Sequence, residues 1–374
     1  MKNKLKYILV FIILVAAYIL GGKLLDKIYL SRYDIKDYTG QDRYATVNSV
    51  LDKKYKKSEL CYFVNTNYLA HGISLSPYAY NKDIPIFYIK KNEIPKEVYT
   101  QMKKIGVKKV IIVGGTNYIS NAVVRSLDRS DIKSERMIAA DGIDFSILIA
   151  DKMKPFNKSK SIAIVTDDDL DIPNGITFLP YADRNNIPVF VIKNNENNIE
   201  KLEKFVTTNG IKKTYVIGIN NYYNTNLLKI LPGVERISGR DRFDIDRKII
   251  EDLYSNKNNG KLYISKGGEV VHKRILAPGQ MINALAITSL AADNNSPIMY
   301  IENNYFSSRD EGIIEKNNYK QLNEVGFKIE RRKFFNVERF KSFTTIVIVI
   351  ISIIMLIRVI RYDKRPYKII KVKN

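Results

Sequence analysis

Short apolar runs and longer amphipathic segments alternate along the middle of the chain, and the same alternation occurs three times. Runs of strand type occupy Leu60–Val64, Ile162–Thr166 and Leu262–Ser265. A helical segment follows each run, beginning near His71, Asn174 and Asn283, and a proline stands fourteen positions later, at Pro85, Pro188 and Pro297. The prolines open a second set of strands, IPIFYIKKN, IPVFVIKNN and SPIMYIENN. Proline is tolerated at the start of a strand, and the apolar run after it is typical of a parallel strand buried on both faces.

The copies are spaced by about one hundred residues. Asp42, Asp141 and Asp241 lie 99 and 100 residues apart, which predicts three copies of one structural unit. Strands and helices alternate in each copy, so we expect right-handed βαβ crossovers and a doubly wound parallel sheet in each unit. A helix is predicted to end at Gly106, with Gly210 and Gly326 in the matching places of the other copies.

Each copy opens with a turn that leads into a helix. In the first and third copies this opening turn reads Gly-x-Asp-Arg-aromatic, at Gly40 and at Gly239. The glycine suits a tight turn, and Asp42 or Asp241 suits a helix cap. The arginine that follows, Arg43 or Arg242, either pairs with a carboxylate of a neighbouring unit or contacts an anionic ligand. The second copy has Gly142 and Ile143 in place of the arginine and the ring.

Long apolar runs lie near both ends of the chain. Residues 7–22 follow three lysines and lack a good small-x-small cleavage site, which favours an uncleaved membrane anchor over a cleaved signal peptide. Residues 343–360 are long enough to cross a hydrocarbon core as a helix, a better fit than a buried strand. The pattern predicts a cell membrane protein with two spans, cytoplasmic tails at 1–6 and 361–374, and the repeats on the cell wall side.

The formal net charge of +22 indicates anionic partners. Much of this charge lies in residues 1–23 and 343–374, which leaves a basic but diluted middle, so we expect no nucleic acid partner. Cys61 is the single cysteine, and an intramolecular disulfide is therefore excluded.

Catalytic chemistry has little support in the sequence. The chain has two histidines, His71 and His272, and neither an HExxH nor a GxSxG motif, so we expect no enzyme and no cofactor. The stretch KKVIIVGGTNYIS, from Lys108, is either a weak phosphate-binding loop or a plain strand-to-helix turn. Four aspartates after a strand form either a divalent cation site or a solvated loop: Asp167, Asp168, Asp169 and Asp171.

These motifs, taken in order and found three times, resemble the cell wall binding repeat 2 family of Gram-positive surface proteins. The resemblance covers about residues 38–330, as repeats at 38–134, 135–233 and an incomplete 234–330. It implies small α/β units, in tandem threes around a pseudo-threefold axis, that bind an anionic secondary cell wall polysaccharide noncovalently. The predicted fold class is therefore α/β, with three Rossmann-like parallel-sheet units between N- and C-terminal transmembrane helices.

The family resemblance and the opening turns together supply the candidate polymer-binding residues. The resemblance implies that the proline-led strands take part in anchoring, whereas the pattern alone indicates buried strands. The candidates are Asp42, Arg43, Asp241, Arg242, Pro85, Ile86, Pro188, Val189, Pro297 and Ile298.

The third copy departs from the family pattern in two places. It carries an insertion around Gly267–Gly279, and the segment after Gly326 reads ERRKFF where a VIIVGG strand is expected. We therefore predict a wall-binding protein and keep two alternatives: a scaffold of degenerate repeats that contacts envelope or S-layer assembly proteins, and an enzyme acting on envelope sugars.

Overall fold

Three parallel sheets of four strands each organise the chain. The computed structural model describes residues 28–168, 171–219, 225–255, 259–268, 270–271, 274–275 and 278–330. The first strand is β1 (Asp34–Asp37), and the first opening turn leads into helix α1 (Arg43–Lys54).

The first sheet follows α1. Its elements are β2 (Leu60–Asn65), α2 (Leu69–Asn81), β3 (Ile86–Ile89), α3 (Lys96–Ile105), β4 (Lys109–Val113), α4 (Asn121–Asp128) and β5 (Lys133–Met137). The strand order is β3-β2-β4-β5, and all neighbours are parallel. The chain moves from β2 to one side and then returns to the other, which is the predicted doubly wound topology.

The second sheet repeats this arrangement. Its elements are α5 (Gly142–Met153), β6 (Ser161–Thr166), α6 (Ile172–Asn185), β7 (Val189–Ile192), α7 (Glu196–Asn209), β8 (Lys213–Ile219), α8 (Thr225–Ile230) and β9 (Val234–Gly239). The strand order is β7-β6-β8-β9, again parallel.

The third sheet is built from both ends of the described chain. Its unit contains α9 (Arg242–Tyr254), β10 (Lys261–Lys266), β11 (Val270–Val271), β12 (Arg274–Ile275), α10 (Pro278–Asp293), β13 (Ile298–Ile301), α11 (Ser308–Lys316) and β14 (Gln321–Val325). The order is β13-β10-β14-β1, and β11 and β12 form a separate antiparallel pair within the predicted insertion.

Strand β1 completes this third sheet. It runs parallel to β14, with Asp34 opposite Gln321 and Asp37 opposite Glu324. In the other two sheets the fourth strand is β5 or β9, the strand that leads directly into the next opening turn. Because β1 leads into the first opening turn, it takes the same place, and the three units are joined into a closed ring.

The role predicted for Gly326, the end of a helix, is wrong. Gly326 follows strand β14, whereas helix α11 ends earlier, next to the left-handed residue Asn318. The strand sought after Gly326 is therefore β14, which lies before it. Two buried polar residues interrupt the apolar pattern by which this strand would be recognised in the sequence. Asn323 donates to the carbonyl of Leu262 (3.2 Å), and Glu324 accepts from the amide of Ile329 (2.6 Å).

Helices α2, α6 and α10 pack pairwise against one another at the centre of the three units. Small residues bring them close, because a Cβ on Gly72 would lie 2.9 Å from Leu285 Cδ2, and one on Gly175 would lie 3.5 Å from Ile73 Cδ1. The largest apolar cluster draws residues from all three units. This central contact, and not any single sheet, makes the core continuous.

The predicted strands and two of the helix ends are confirmed. The first set of strands is observed as β2, β6 and β10, and the proline-led set as β3, β7 and β13. Gly106 and Gly210 end their helices in the left-handed region, at φ +84° and +58°, where glycine carries no Cβ penalty.

The membrane part of the predicted fold class and the localisation derived from it are corrected. No helix in the described part of the chain is long and apolar enough to cross a bilayer. The longest described helix, α10, has 16 residues, or about 24 Å, against a hydrocarbon core of about 30 Å. The predicted spans at 7–22 and 343–360, with their cytoplasmic tails, lie outside the described residues. The structure supports three parallel-sheet α/β units and gives no support for a two-span membrane protein.

Candidate functional site

The three opening turns share one cap. The side chain of Asp42 accepts a hydrogen bond from the amide of Ala45 (2.8 Å), that of Asp141 from Asp144 (2.9 Å) and that of Asp241 from Asp244 (2.8 Å). Each aspartate thereby satisfies one of the free amides at the start of its helix. The predicted capping role of Asp42 and Asp241 is confirmed, and Asp141 has the same role.

The glycine before each cap is explained by close approach. A Cβ on Gly40 would lie 2.4 Å from the carbonyl carbon of Ala45, and one on Gly239 would lie 2.9 Å from Asp244 Cβ. Neither glycine has a positive φ. Glycine is therefore needed at these positions because the opening helix leaves no room for a side chain. The expected reason, a turn conformation that other residues adopt at a cost, is wrong.

Arg43 in the first turn is exposed to solvent. Its guanidinium carbon lies 5.9 Å from the ring centroid of Tyr44. Lys90, at the carboxyl end of β3, lies within electrostatic range of it: a hydrogen bond to Glu93 raises the pKa of Lys90, and Arg43 opposes that shift. Because Lys90 is paired with Glu93 (2.5 Å), Arg43 is the cationic group that the first turn presents to solvent.

The second turn has no arginine, and a lysine from another helix occupies its surface. Lys201 of α7 bridges Asp141 (3.1 Å) and Asp144 (2.9 Å). A Cβ on Gly142 would lie 3.5 Å from the hydroxyl of Tyr68, which reaches across from the first unit. One lysine pairs with both carboxylates here, so its positive charge offsets only one of the two negative charges.

Arg242 in the third turn is held inside the protein. Its Nη2 donates to the carbonyl of Gly268, and its guanidinium carbon lies 4.4 Å from the ring centroid of Phe243. Burial lowers the pKa of Arg242, and its Nε has no partner. A Cβ on Gly267 would lie 2.6 Å from the ring of Phe243, so the backbone closes over the arginine. Arg43 and Arg242 match in sequence but not in exposure.

The three prolines lie at the amino ends of the proline-led strands, whereas the opening turns lie near the carboxyl ends of these strands: a Cβ on Gly142 would be 3.7 Å from the carbonyl of Val191 in β7. Pro85, Pro188 and Pro297 are buried and precede β3, β7 and β13. Their carbonyls accept hydrogen bonds from the neighbouring strand, from Tyr62 (2.9 Å), Ala163 (2.9 Å) and Tyr263 (3.1 Å). At about 3.3 Å per residue, Pro85 lies roughly 15 Å from Lys90 along the strand.

The residues after these prolines face the interior. Val189 is 1% exposed and Ile298 is 0% exposed, while Ile86 is half-buried. The candidate residues therefore fall into two groups: an accessible group at the first opening turn, and a buried group that forms the edge strands.

His71 and Asp171 are buried and contribute to the interior, whereas Asp167 is half-buried and Asp168 is exposed. Burial lowers the pKa of His71 to about 4, which keeps the ring neutral. Burial raises the pKa of Asp171 to about 6; this residue accepts from Thr166 (2.5 Å) and from the amide of Ile219 (2.8 Å). His272 and Asp169 lie outside the described residues. Within the described ranges, no group of three or more His, Cys, Asp or Glu side chains could hold a metal ion.

Sequence reasoning missed Lys90 and Lys201, which lie far along the chain from the turns that they modify. It also missed the pairing of Tyr68 with Tyr118, whose ring centroids are 4.7 Å apart. Each of these follows a parallel strand or lies on a flanking helix, so only the sheet order brings them to the opening turns. The aromatic residue after each arginine, Tyr44 or Phe243, is a signal that the sequence does contain. It does not indicate which arginine is exposed.

Comparison with known proteins adds relatives over most of the chain. The chain is 26% identical over 240 residues to N-acetylmuramoyl-L-alanine amidase LytC of Bacillus subtilis (strain 168), covering 64% of this chain and 46% of the relative. It is 22% identical over 265 residues to the Amidase enhancer of the same organism, covering 71% and 34%. The chain thus spans less than half the length of these curated relatives.

Solved structures show the same fold. Cwp8 from Clostridium difficile aligns with a TM-score of 0.66 at 25% identity, covering 79% of this chain and 50% of that chain. Cwp6 from the same organism aligns with a TM-score of 0.67 at 18% identity, covering 79% and 46%, and supports the fold alone.

One family accounts for the repeats. The sequence pattern described as cell wall binding domain 2 (CWB2) matches residues 38–124 and 236–340, slightly more than half of the chain. The two matched segments contain the opening turns that keep Arg43 and Arg242, and the unmatched stretch between them contains Gly142. The chain belongs to the cell wall binding domain 2 family.

Proposed function

We propose that this protein binds an anionic cell wall polysaccharide noncovalently, and that Arg43 in the first opening turn makes the principal charged contact. The observation that carries this proposal is the exposure of Arg43, since the matching residue Arg242 donates to a backbone carbonyl and the second turn has Gly142. Membership of a wall-binding family and the net charge of +22 support an anionic wall component as the partner.

Arginine suits this role for a physical reason. The planar guanidinium presents parallel N–H donors that match two oxygens of a carboxylate or a phosphate. Lys90 lies beside it, but its charge is offset by Glu93 in an exposed ion pair of 2.5 Å. Among the described residues no carboxylate forms an ion pair with Arg43, so its donors face solvent. Binding that rests on such a contact weakens as salt screens the charges.

The buried candidates have a supporting role in this proposal. Asp42 stabilises the first turn by capping its helix. The strands after Pro85, Pro188 and Pro297 are edge strands of the three sheets. Substitutions at Val189 or Ile298 then reduce binding by unfolding the unit, because these side chains are buried and offer no surface to a polymer, whereas Ile86 is half-buried.

Sedimentation with cell walls tests the proposal. The full chain is mixed with isolated walls of the organism that makes it, with and without prior extraction of the anionic polymer. We expect the protein to sediment with intact walls and to stay in solution with extracted walls. Equal sedimentation with both, or with neither, contradicts polymer binding.

A pair of arginine variants tests the contact. Arg43→Ala should lose most of the salt-sensitive binding, whereas Arg129→Ala, which removes the same charge from an exposed position elsewhere in the first unit, should bind like the unchanged protein. Equal losses in both variants would show that only the total charge matters.

A further inference from the structure

The topological switch point of the first sheet lies between β2 and β4. The chain leaves β2 toward β3 on one side and leaves β4 toward β5 on the other, so the two connections diverge and a crevice is expected at the carboxyl ends of these paired strands. In doubly wound sheets this point is where ligands bind. Tyr68 follows β2 and Tyr118 follows β4, which places one ring on each side of the crevice.

The two rings form a single aromatic surface. Their centroids lie 4.7 Å apart at an angle of 46°, and both side chains are partly exposed. The buried ring of His71 supports them from below, at 4.5 Å from Tyr68 and 4.7 Å from Tyr118, and Phe145 of the second unit lies 4.7 Å from His71. We refer to the paired rings of Tyr68 and Tyr118 as the tyrosine shelf.

The backbone around the tyrosine shelf is shaped to hold the rings. Gly114 ends β4 at φ +88°, and a Cβ there would lie 2.7 Å from the ring of Tyr118 and 3.2 Å from His71. The side chain of Asn65 donates to the backbone carbonyl of Tyr118. A left-handed glycine and a buried amide therefore fix the loop that carries Tyr118, and the shelf costs little ordering entropy when a ligand binds.

At the matching points of the other two units, described side chains contact neighbouring groups of the protein. In the second unit the residue three positions before Asn174 is Asp171, as Tyr68 stands three before His71, and its carboxyl group bonds to Thr166 and to the amide of Ile219 across the crevice. In the third unit the amide of Asn283 lies so close to Gly326 that a Cβ there would be 2.0 Å away. The described residues thus leave a solvent-facing aromatic surface at this point in the first unit.

We propose that the tyrosine shelf is a subsite for a sugar ring of the wall polysaccharide, a step that rests on the proposed function. The apolar C–H face of a pyranose packs on an aromatic face, while the ring hydroxyls reach polar groups at the rim. The exposed amides of Asn67 and Asn117 lie on the same two loops and supply such groups. Arg43 would then contact a charge of the polymer, and the shelf would recognise a sugar.

Ring stacking and charge contacts respond differently to salt, which separates the two sites. Stacking buries apolar surface and persists at high ionic strength, whereas an exposed charge contact is screened. The full chain is bound to intact walls at low and at high salt. We expect Tyr68→Ala and Tyr118→Ala to weaken binding about three- to ten-fold at both salt concentrations. Tyr99→Ala, a partly exposed tyrosine on α3 of the same unit, is the matched control.

A fluorescent variant keeps the test independent of folding losses. The chain has no tryptophan, so Tyr118→Trp introduces a single indole at the shelf. Polymer released from the same walls should change its emission, and the change should disappear when Tyr68→Ala is added. Wall binding by the unchanged protein, combined with no effect of the tyrosine variants and no emission change, would overturn the shelf and leave the proposed function intact. Failure of the unchanged protein to bind walls would instead overturn the proposed function.

Discussion

The hydroxyl of Ser76 donates a hydrogen bond of 2.9 Å to the carboxyl group of Asp183, and this contact joins the central helices α2 and α6. Thr288 of α10 lies 3.3 Å from the same hydroxyl, so one polar contact links all three units. Asp183 is fully buried, and burial raises its pKa to about 8. The folded protein therefore holds a proton on Asp183 that the unfolded chain releases near pH 4.

The contribution of Asp183 to stability should fall as the pH rises from about 4 to 8, because the folded state binds this proton more tightly than the unfolded chain does. The contribution of Asp183 changes by about 1.4 kcal/mol for each pH unit over that range. In Asp183→Asn, which keeps a neutral side chain of the same shape, the free energy of unfolding should depend less on pH. Urea denaturation at pH 5 and pH 8 measures the difference.

The exposed residue Asp128 supplies the control for this experiment. Asp128→Asn should show the same pH dependence as the unchanged protein. A pH dependence that Asp183→Asn leaves unaltered would show that Asp183 is ionised in the folded state.

The two arginines of the opening turns should separate binding from stability. Arg242→Ala removes the hydrogen bond to Gly268 and should lower the free energy of unfolding by roughly 1.5–3 kcal/mol. Arg43→Ala should leave stability nearly unchanged, because the side chain is exposed. Thermal unfolding of both variants, with wall binding expressed per folded molecule, provides the comparison. Loss of binding per folded molecule in Arg242→Ala would place the third turn in contact with the polymer.

The proline-led strands should behave as core. Ile298→Ala removes a fully buried side chain and should cost about 2–5 kcal/mol, whereas Ile86→Ala, at a half-buried position, should cost less. Denaturant titration measures both. If wall binding is lost in Ile298→Ala while the fraction of folded protein stays unchanged, the strand contacts the polymer directly.

The contact between β1 and β14 should stabilise the whole ring. The amide of Asp34 donates to the carbonyl of Lys320, just before β14 (2.8 Å), and the amide of Tyr38 donates to that of Glu324 in β14 (2.9 Å). Because donors alternate along a strand, Lys36 lies between them with its amide in the same ladder. Lys36→Pro removes that donor and should lower the free energy of unfolding by roughly 1–3 kcal/mol. Lys36→Ala keeps the amide and serves as the control. Equal melting temperatures for both variants would mean that β1 contributes nothing.

The sequence predicted the elements that repeat and missed those that deviate from the repeat. Periodic apolar runs and prolines located β2, β3, β6, β7, β10 and β13, since each of these strands has a uniformly apolar core. Strand β14 was not predicted, because Asn323 and Glu324 occupy buried positions where polar side chains are stable only through tertiary hydrogen bonds. Strand β1 was not predicted either, because its partner β14 is far away in sequence and its own residues are mostly exposed.

The candidate site was predictable in its residues but not in their exposure. The motif located Arg43 and Arg242 equally well, and nothing within either motif distinguishes them. The difference comes from the loop at Gly267 and Gly268, which lies 26 residues after Arg242 and accepts its hydrogen bond. Likewise, the meeting of Tyr68 and Tyr118 depends on the strand order, which places β2 beside β4.

The joining of β1 to the third sheet sets an order on synthesis. The hydroxyl of Thr39, just after β1, bonds to the carbonyl of Phe327, 288 residues further along the chain. At typical translation rates, roughly 15–60 s separate the synthesis of the two segments. During that interval β1 has no partner, whereas the first two sheets have all of their strands as soon as β9 has been made. A ribosome-bound chain that stops before β14 should therefore carry two finished sheets and one unpaired strand, and the last sheet forms only when its two distant ends meet.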